Sequence, residues 1–424
     1  MQRKWLVLAA VCLMFFFVTG ATFMSMGVVL YSMIADLHWS QTAGGTSFSI
    51  LGLACCLSSP LPAILMNWIG TRWTMLIGGA LLSAGFFCAY ITQGLTLFYV
   101  GTALMGVGFS LGANIPGVYL LASWFPERSA RVIGIYLMFG ALGGVAGPPA
   151  VEAIVAASGS WRTHWLVMTV LAAVIGLVCL VLVRDRPADK LAGDEAAAAP
   201  AKSGSARTIT LTARDWVYRE AALTPQFMLI AAAMVLTEAC VTTVHSAAVT
   251  HLSKLGNTAV FAAFMLSLQS AMATLAKGAS GTLSEFISPK YLLVGGLVIE
   301  CVGMILLGYS SSHTMAYGFA LTFGIGWGAA YLAVTVLLIN YFGPNTGSAV
   351  LSTVWLLTGI AAIGPAAAGM VADRFGSYTQ VFILGGLLLL PIAFGALLMR
   401  SPKRKSATGA QLAAMPANAV ERSC

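Results

Sequence analysis

A lysine lies deep inside a long apolar stretch of this chain. Lys277 follows more than four helical turns of uncharged residues, nearly all of them apolar, small or hydroxylic, and the next charge comes eight residues later. A basic residue at the centre of a helix in hydrocarbon costs roughly 2.5–3.5 kcal/mol on insertion scales. Small residues around it, at 276 and 278–281, leave room for another helix or a substrate to approach. We therefore interpret Lys277 as an anion-binding residue; the alternative is a structural ion pair with Glu238 or Glu300.

Three polar residues share one helical face in a second apolar stretch. Glu238 is about twelve residues into the stretch that begins near residue 226, and Thr242 and His245 follow four and seven residues later. A buried carboxyl group is costly to ionise until a cation approaches, and histidine titrates near neutral pH. We expect Glu238, with His245, to bind and release a proton. Its carboxyl group would be charged while no anion is bound at the nearby Lys277, and neutral once an anion is bound there. A hydrogen-bonded structural carboxyl is the alternative.

A third acid, Glu300, lies midway along the apolar stretch 291–310. Ionisable residues inside a membrane span are rare and mark functional sites by default. Proton coupling and a hydrogen bond to a neighbouring helix both fit Glu300, and the sequence leaves the two open.

The composition defines the surroundings of these residues. The chain is 59% hydrophobic and 8% charged, with a mean hydropathy of +0.88, whereas soluble domains carry about 25% charged residues. The class is therefore a polytopic membrane protein. The first apolar run is too long for a signal peptide and eleven more follow, so we expect a retained first helix. The runs of roughly 20 residues lie near 6–34, 43–67, 73–93, 97–123, 131–156, 164–183, 226–251, 259–284, 291–310, 315–341, 348–372 and 379–399.

The positions of the basic residues indicate the topology. With the N-terminus in the cytoplasm, 18 of the 22 Lys and Arg residues fall on the cytoplasmic side, and only Arg162, Lys254 and Arg374 fall outside, as the positive-inside rule requires. The net charge of +8 thus reflects topology and contact with anionic membrane lipid rather than nucleic acid. We expect a monomer in the inner membrane with both termini cytoplasmic.

Motifs of other function classes are missing from the sequence. It contains no GxxxxGK[ST] loop for ATP, no nucleophile elbow, and no cysteine or histidine spacing that indicates a metal. We expect no enzyme activity, no catalytic residue, no metal and no cofactor. The energy for moving a solute across the membrane must then come from ion or solute gradients.

A polar segment at 184–224 divides the chain into similar halves. Its middle, GDEAAAAPAKSGSA, has the composition of a linker, and Thr212 and Asp215 have capping-box spacing for a short helix at the cytoplasmic membrane surface. We predict a six-helix bundle at 1–183, a cytoplasmic linker at 184–224, a second six-helix bundle at 225–400 and a cytoplasmic tail at 401–424. Residues recur between the halves at offsets of 217 and 218, among them Phe125 and Phe342, Gly147-Pro148 and Gly364-Pro365, Tyr99 and Tyr317, Asn67 and Glu285, and Arg72 and Lys290.

Three loop segments resemble the signature Asp-Arg-x-Gly-x-Arg of the major facilitator superfamily: NWIGTR (67–72), EFISPK (285–290) and GMVADRFG (369–376). The resemblance covers essentially the whole chain and implies an all-α fold of twelve transmembrane helices in two pseudo-symmetric six-helix bundles. In that family such loops tie helix ends together and lock the outward-facing form. Here Asn67 replaces the acid and Trp68 the base, which weakens the lock in the N-terminal half. The gating residues that the resemblance implies are Asn67, Arg72, Glu285, Lys290, Asp373 and Arg374.

Within the superfamily, the chain is similar to the monocarboxylate transporters and their oxalate/formate antiporter relatives. The segments that carry this likeness are GVVLYSMIADLHWSQT, SWFPERSARVIG, LTPQF and SLQ-x7-K-x7-E. Those families place a carboxylate-binding arginine where Lys277 stands, so the resemblance assigns that role to Lys277. Those families often have an acid four residues before this cation, and that position is Ala273 in this chain. The antiporters also have a second cation, which would lie near Thr358, and this chain has none there. One cation in the membrane indicates one carboxylate per cargo.

Spans one, four, seven and ten line the central pocket in this superfamily. Asn114 and Tyr119 in span four, and Trp327 and Tyr331 in span ten, are candidates for binding the body of the cargo. Packing or an interfacial aromatic belt is the alternative for the aromatic residues.

The sequence therefore predicts a secondary transporter that moves a small organic monocarboxylate across the inner membrane by alternating access, with proton symport. An organic-anion exchanger and an exporter of lipophilic compounds are alternatives within transport. A transporter-like carboxylate sensor that signals through the 184–224 segment is an alternative of another class.

Overall fold

A computed structural model describes residues 2–125, 128–185 and 216–402 of the chain. The regular structure in these ranges is helical, without a strand, and the predicted all-α fold is confirmed. Most of the predicted linker and tail lies outside the described residues, as do Thr212 and Asp215 of the capping box. A short helix is present directly before the seventh span, over Tyr218–Ala222.

Six membrane spans form the N-terminal half, and some of them are interrupted. Span 1 contains a π-helical turn at Gly20–Met24. Span 2 bends by 52° between its two helices, at Pro60 and Pro62, because proline cannot supply the N–H that an uninterrupted helix needs. The bounds are Gln2–Thr19, Gly20–Met24 and Ser25–Leu37 for span 1; Gln41–Leu57 and Leu61–Ile69 for span 2; Thr71–Ile91 for span 3; Leu95–Gly112 and Asn114–Trp124 for span 4; Ser129–Ser158 for span 5; and Trp161–Leu182 for span 6.

The C-terminal half repeats this order of spans. Span 7 begins with Pro225, whose missing N–H removes no helical bond at that position, and the Thr224 hydroxyl caps it by accepting from the N–H of Phe227. Thr258 caps span 8 in the same way. The bounds are Pro225–Lys254 for span 7; Ala259–Leu283 for span 8; Pro289–Gly308 for span 9; His313–Phe342 for span 10; Pro344–Leu357, a 3-10 turn Thr358–Ala362 and Ile363–Phe375 for span 11; and Thr379–Leu398 for span 12.

The number of spans agrees with the apolar runs. Eleven helices among the described residues are long and apolar enough to cross a membrane, and the bent pair of span 2 makes a twelfth. The twelve-helix architecture predicted from the sequence is thereby confirmed. The starts and ends of the helices differ from the predicted runs by a few residues, because flanking polar residues also adopt helical backbone.

Glycines let the two halves approach each other closely. A Cβ atom added to Gly27 of span 1 would lie 1.8 Å from the carbonyl oxygen of His245 in span 7, and one added to Gly45 of span 2 would lie 2.1 Å from the carbonyl oxygen of Pro365 in span 11. Only glycine permits backbones to come this near. These contacts hold the two bundles together on one side of a central site.

Candidate functional site

Lys277 points at two aromatic rings. Its Nζ atom lies 4.1 Å from the ring centroid of Trp327 and 4.3 Å from that of Tyr331. A cation over a ring face within about 6 Å is attracted by the ring quadrupole, and the attraction grows to about 2 kcal/mol or more when the pair is desolvated. Two such rings stabilise the ammonium in surroundings where water is scarce.

The packing of spans 8 and 10 brings these rings to the lysine. Trp327 and Tyr331 are four residues apart on span 10 and therefore share one face. On the same span, a Cβ added to Gly324 would lie 2.4 Å from the carbonyl oxygen of Gln269, and one added to Gly328 would lie 2.4 Å from that of Ala273. The two glycines let span 10 rest directly on the backbone of span 8, and this close approach sets the rings against Lys277.

Glu238 joins the cluster through the same tryptophan. The indole N–H of Trp327 donates to Oε1 of Glu238 at 3.3 Å, and Glu238 and Lys277 lie within range of each other's charge. No ion pair within 4.0 Å joins them in this conformation of the described chain. Trp327 thus contacts the cation with its face and the acid with its N–H.

His245 packs edge-to-face against the same ring. The imidazole is 4% exposed, its ring centroid is 5.8 Å from that of Trp327, and its Nε2 is 3.3 Å from Oε1 of Gln269. The other amide atom of Gln269, Nε2, is buried without a partner among the described residues. The sequence reasoning did not name Gln269 as a candidate, although an amide in the apolar SLQ segment eight residues before Lys277 was a signal for one.

Glu300 is placed away from the lysine. It is fully buried; its Oε2 accepts from the Thr237 hydroxyl at 3.1 Å, and its Oε1 has no partner in the described part of the chain. A Cβ on Gly326 would lie 2.4 Å from the Glu300 backbone nitrogen. The acid therefore lies between spans 7, 9 and 10, within range of the charge of Glu238.

Tyr119 of span 4 does not join this cluster. Tyr119 is 46% exposed and forms none of the contacts around Lys277 that the described residues make. The side chain of Asn114 lies outside the described part of the structure. A third aromatic residue takes part instead: Trp355 of span 11, which the sequence reasoning did not single out, has its ring centroid 5.2 Å from that of Tyr331.

Asp373 connects the two halves at the membrane face opposite the N-terminus. Its carboxylate accepts from the backbone N–H groups of Gln41 and Thr42 at 2.8 Å each, and from the Thr42 hydroxyl at 2.5 Å. The acid at the end of span 11 thus caps the start of span 2, where the helix dipole favours a negative charge. The Tyr378 hydroxyl donates to the Gln41 side chain beside it at 3.0 Å. Together these bonds join the two halves of the protein at that face.

The opposite face carries the paired loops 67–73 and 285–291. Each loop has an exposed aromatic side chain at its second position, Trp68 at 81% and Phe286 at 86% exposure. Each also has a base over the ring that follows it: Arg72 over Trp73 at 5.3 Å and Lys290 over Tyr291 at 5.5 Å.

The remaining predicted gating residues make few contacts. Lys290 donates to the backbone oxygen of Met399 at 2.9 Å, which ties its loop to the end of span 12. Asn67 and Glu285 are exposed, and the guanidinium of Arg374 contacts only the ring of its neighbour Phe375, at 5.9 Å, among the described contacts. Across residues 2–125, 128–185 and 216–402, no group of three or more His, Cys, Asp or Glu side chains is arranged to hold a metal ion.

Comparison with known proteins finds one family and several relatives. The sequence model of the Major Facilitator Superfamily matches residues 11–362. The chain is 23% identical over 404 residues to monocarboxylate transporter 12-B of Danio rerio, covering 88% of this chain and 83% of that one. It is 24% identical over 422 residues to a protein of Agrobacterium vitis named "Putative tartrate transporter", covering 92% and 89%.

The fold has counterparts among solved structures. A bacterial homolog of the human lysosomal transporter Spinster, in an inward-facing and unoccupied conformation, superposes with a TM-score of 0.74. The identity is 16%, and the match covers 93% of this chain and 96% of that one. At this identity the likeness concerns the fold.

Proposed function

Because this chain belongs to the Major Facilitator Superfamily, we propose that it moves a small organic monocarboxylate across the inner membrane by alternating access, with proton symport. Like its family and its relatives, it is a membrane transporter and not an enzyme. One observation carries the finer proposal: Lys277 is a mid-span ammonium that rests on two ring faces rather than on a carboxylate.

A resting contact of this kind suits a binding residue. A lysine clasped by an acid would have to break that ion pair before it could hold cargo, and removing one partner from a buried pair costs about 3–5 kcal/mol. The attraction to the rings is weaker than a buried ion pair and leaves the ammonium hydrogens free to donate. A cargo carboxylate can therefore bind to Lys277 without first displacing an acidic side chain. A single cation at this depth favours one carboxylate per cargo.

Glu238 is the proposed proton carrier. It lies within range of the lysine charge without pairing to it, so a negative cargo at Lys277 removes the positive field that favours the ionised carboxylate. Cargo binding and protonation of Glu238 then promote each other. His245 and Glu300 flank this acid and are the proposed further proton sites, one beside Trp327 and the other behind Thr237.

The proposed conformational cycle uses the two faces in turn. The bonds from Asp373 to span 2 close one face, while the loops with Trp68 and Phe286 stand exposed at the other. With the termini in the cytoplasm, as the distribution of basic residues favours, this is an inward-facing conformation of a monomer. Closing the inner face brings the loop residues Asn67, Arg72, Glu285 and Lys290 toward the opposite bundle. Arg374 accompanies Asp373 at the outer gate.

The names of the relatives support a carboxylate as cargo. One relative is a monocarboxylate transporter by name, and the Agrobacterium vitis relative is named for tartrate, which carries two carboxylates. The single mid-membrane lysine favours the former for this chain.

Uptake by purified protein in liposomes tests the proposal. An acid exterior is expected to drive accumulation of a labelled monocarboxylate, and a protonophore is expected to abolish it. Uptake that requires an anion inside the liposomes, at any pH gradient, would indicate an exchanger rather than a proton symporter. Binding without any flux would favour a sensor.

A further inference from the structure

We propose that the cargo is an aromatic monocarboxylate, a planar ring that bears one carboxylate, rather than a small hydroxylated aliphatic acid. The inference rests on the proposed function, which assigns the carboxylate to Lys277. It comes from what surrounds that lysine: three aromatic side chains, and threonine hydroxyls whose protons are already donated to helix carbonyls.

The aromatic side chains form a continuous wall. Trp327 and Tyr331 present their faces to the ammonium of Lys277, and Trp355 of span 11 extends the wall, at 5.2 Å and 53° to the Tyr331 ring. All three are partly exposed. Because the contacts of Trp327 and Tyr331 are with side chains of spans 7, 8 and 11, we infer that this exposure faces the interior between the helices rather than lipid.

Three threonine hydroxyls near the wall already donate their protons to helix carbonyls. Thr242, four residues after Glu238, donates to the Glu238 carbonyl oxygen at 2.9 Å. Thr335, four residues after Tyr331, donates to the Tyr331 carbonyl oxygen at 3.3 Å. Thr358 donates to the carbonyl oxygen of Trp355 at 2.6 Å. These groups have no second proton to give.

A hydroxylated acid finds no donor among these three threonines. Each hydroxyl oxygen that leaves water without a donor is left unsatisfied, and burying an unsatisfied polar group is unfavourable. A planar ring has no such requirement and gains from offset or edge-to-face packing on other rings, beyond the area that it buries. The carboxylate on Lys277 and the ring on Tyr331 and Trp355 can then be satisfied together.

Binding to purified wild-type protein separates the cargo classes. Binding is measured rather than flux, because neutral aromatic acids cross bilayers unaided. The probes are benzoate, cyclohexanecarboxylate, acetate and tartrate, followed by calorimetry. Cyclohexanecarboxylate is the matched control, since it has the same ring size and is not planar. Benzoate is expected to bind about 3- to 10-fold more tightly than cyclohexanecarboxylate, the range that aromatic pairs provide, and more tightly still than acetate or tartrate.

The outcomes that overturn the inference differ from those that overturn the function. If acetate or cyclohexanecarboxylate binds as tightly as benzoate, and Lys277→Ala abolishes that binding, the carboxylate site stands and the aromatic preference is wrong. If none of the four anions binds, both proposals fail. The wild-type series decides this even if a variant does not fold.

A pair of substitutions locates the preference. Tyr331→Leu is expected to remove the advantage of benzoate over cyclohexanecarboxylate, and Tyr331→Phe, which keeps the ring, is expected to retain it. An advantage that is unchanged in Tyr331→Leu would contradict the proposed wall.

Discussion

The indole N–H of Trp327 donates to the carboxyl group of Glu238 at 3.3 Å. The face of the same ring covers the ammonium of Lys277, so one side chain contacts both the proposed cargo site and the proposed proton site. A change in the charge of Glu238 alters the strength of this hydrogen bond, since bonds to an ionised acceptor are about twice as strong. Trp327 is therefore placed to couple the two sites.

Trp327→Phe tests this coupling. Phenylalanine keeps a ring face for Lys277 but cannot donate to Glu238. We expect carboxylate affinity to change by less than about fivefold, because the phenyl ring still offers a face to the ammonium and only the difference between the two ring types is lost. Proton-driven accumulation in liposomes is expected to fall much further. Equal losses in affinity and accumulation would mean that the N–H has no separate role.

Lys277→Ala is expected to abolish carboxylate binding while the protein still inserts and purifies normally. In the described structure, the ammonium of Lys277 is the one Lys or Arg group over the rings of Trp327 and Tyr331. Lys277→Arg is the matched variant: it keeps the charge and restores the residue type found at this position in the families that the chain resembles. Thermal stabilisation by added benzoate, measured for both variants, checks the expectation. An unchanged affinity in the alanine variant would remove Lys277 from the site.

Glu238→Gln is expected to separate transport from its driving force. Glutamine keeps an oxygen that can accept from Trp327 but cannot bind or release a proton. We expect counterflow of labelled cargo to continue and accumulation against a gradient to be lost, in liposomes with an acid exterior. Glu300→Gln is the comparison, because it removes an acid that lies behind Thr237 rather than beside the lysine. A Glu238→Gln protein that still accumulates cargo would refute the role.

The sequence was sufficient to predict the fold and to select the central lysine. Twelve apolar runs and the bias of basic residues define the class without tertiary information. Lys277 could be identified because a charged side chain inside the membrane is costly and therefore indicates a functional or structural role. Its partners could not be deduced in the same way: Trp327 is 50 residues away in sequence, and it meets the lysine only because Gly324 and Gly328 let span 10 settle on span 8.

The aromatic residue shared by Lys277 and Glu238 could not be predicted from the sequence. The sequence predicts Glu238 near Lys277, and in the structure the Trp327 indole contacts both residues. Residue types alone do not show which helices become neighbours, because this depends on close packing at glycines that are far away in the sequence. The same applies to Asp373: the sequence motif suggested a gate, but only the packing of span 11 on span 2 reveals that it caps Gln41 and Thr42.

Asp373→Ala is expected to loosen the closed face. Hydrogen bonds to a charged group contribute about 1.5–3 kcal/mol, so their loss should shift the balance of open and closed forms by roughly 10- to 100-fold. The amide protons of Gln41 and Thr42, which now donate to Asp373, should exchange faster with deuterium. Arg374→Ala is the comparison within the same proposed gate: because that side chain contacts only its neighbour Phe375 among the described residues, we expect a smaller effect on exchange at Gln41 and Thr42. Unchanged exchange at the start of span 2 would contradict the proposed gate.

Gly328→Ala is expected to destabilise the site by separating spans 8 and 10. The added Cβ would lie 2.4 Å from the Ala273 carbonyl oxygen and 2.8 Å from the Ala276 side chain, so the helices must move apart. Forcing extra atoms into a packed contact costs about 1–3 kcal/mol, which should lower the thermal midpoint. Gly278→Ala is the matched control, because nothing lies within 4 Å of its added Cβ and alanine favours helix more than glycine does. We therefore expect Gly278→Ala to leave the midpoint unchanged or raise it. The weakened contact in Gly328→Ala should also move the rings of span 10 away from Lys277 and reduce benzoate binding, whereas equal stability and affinity in the two variants would mean that the close approach does not set the site.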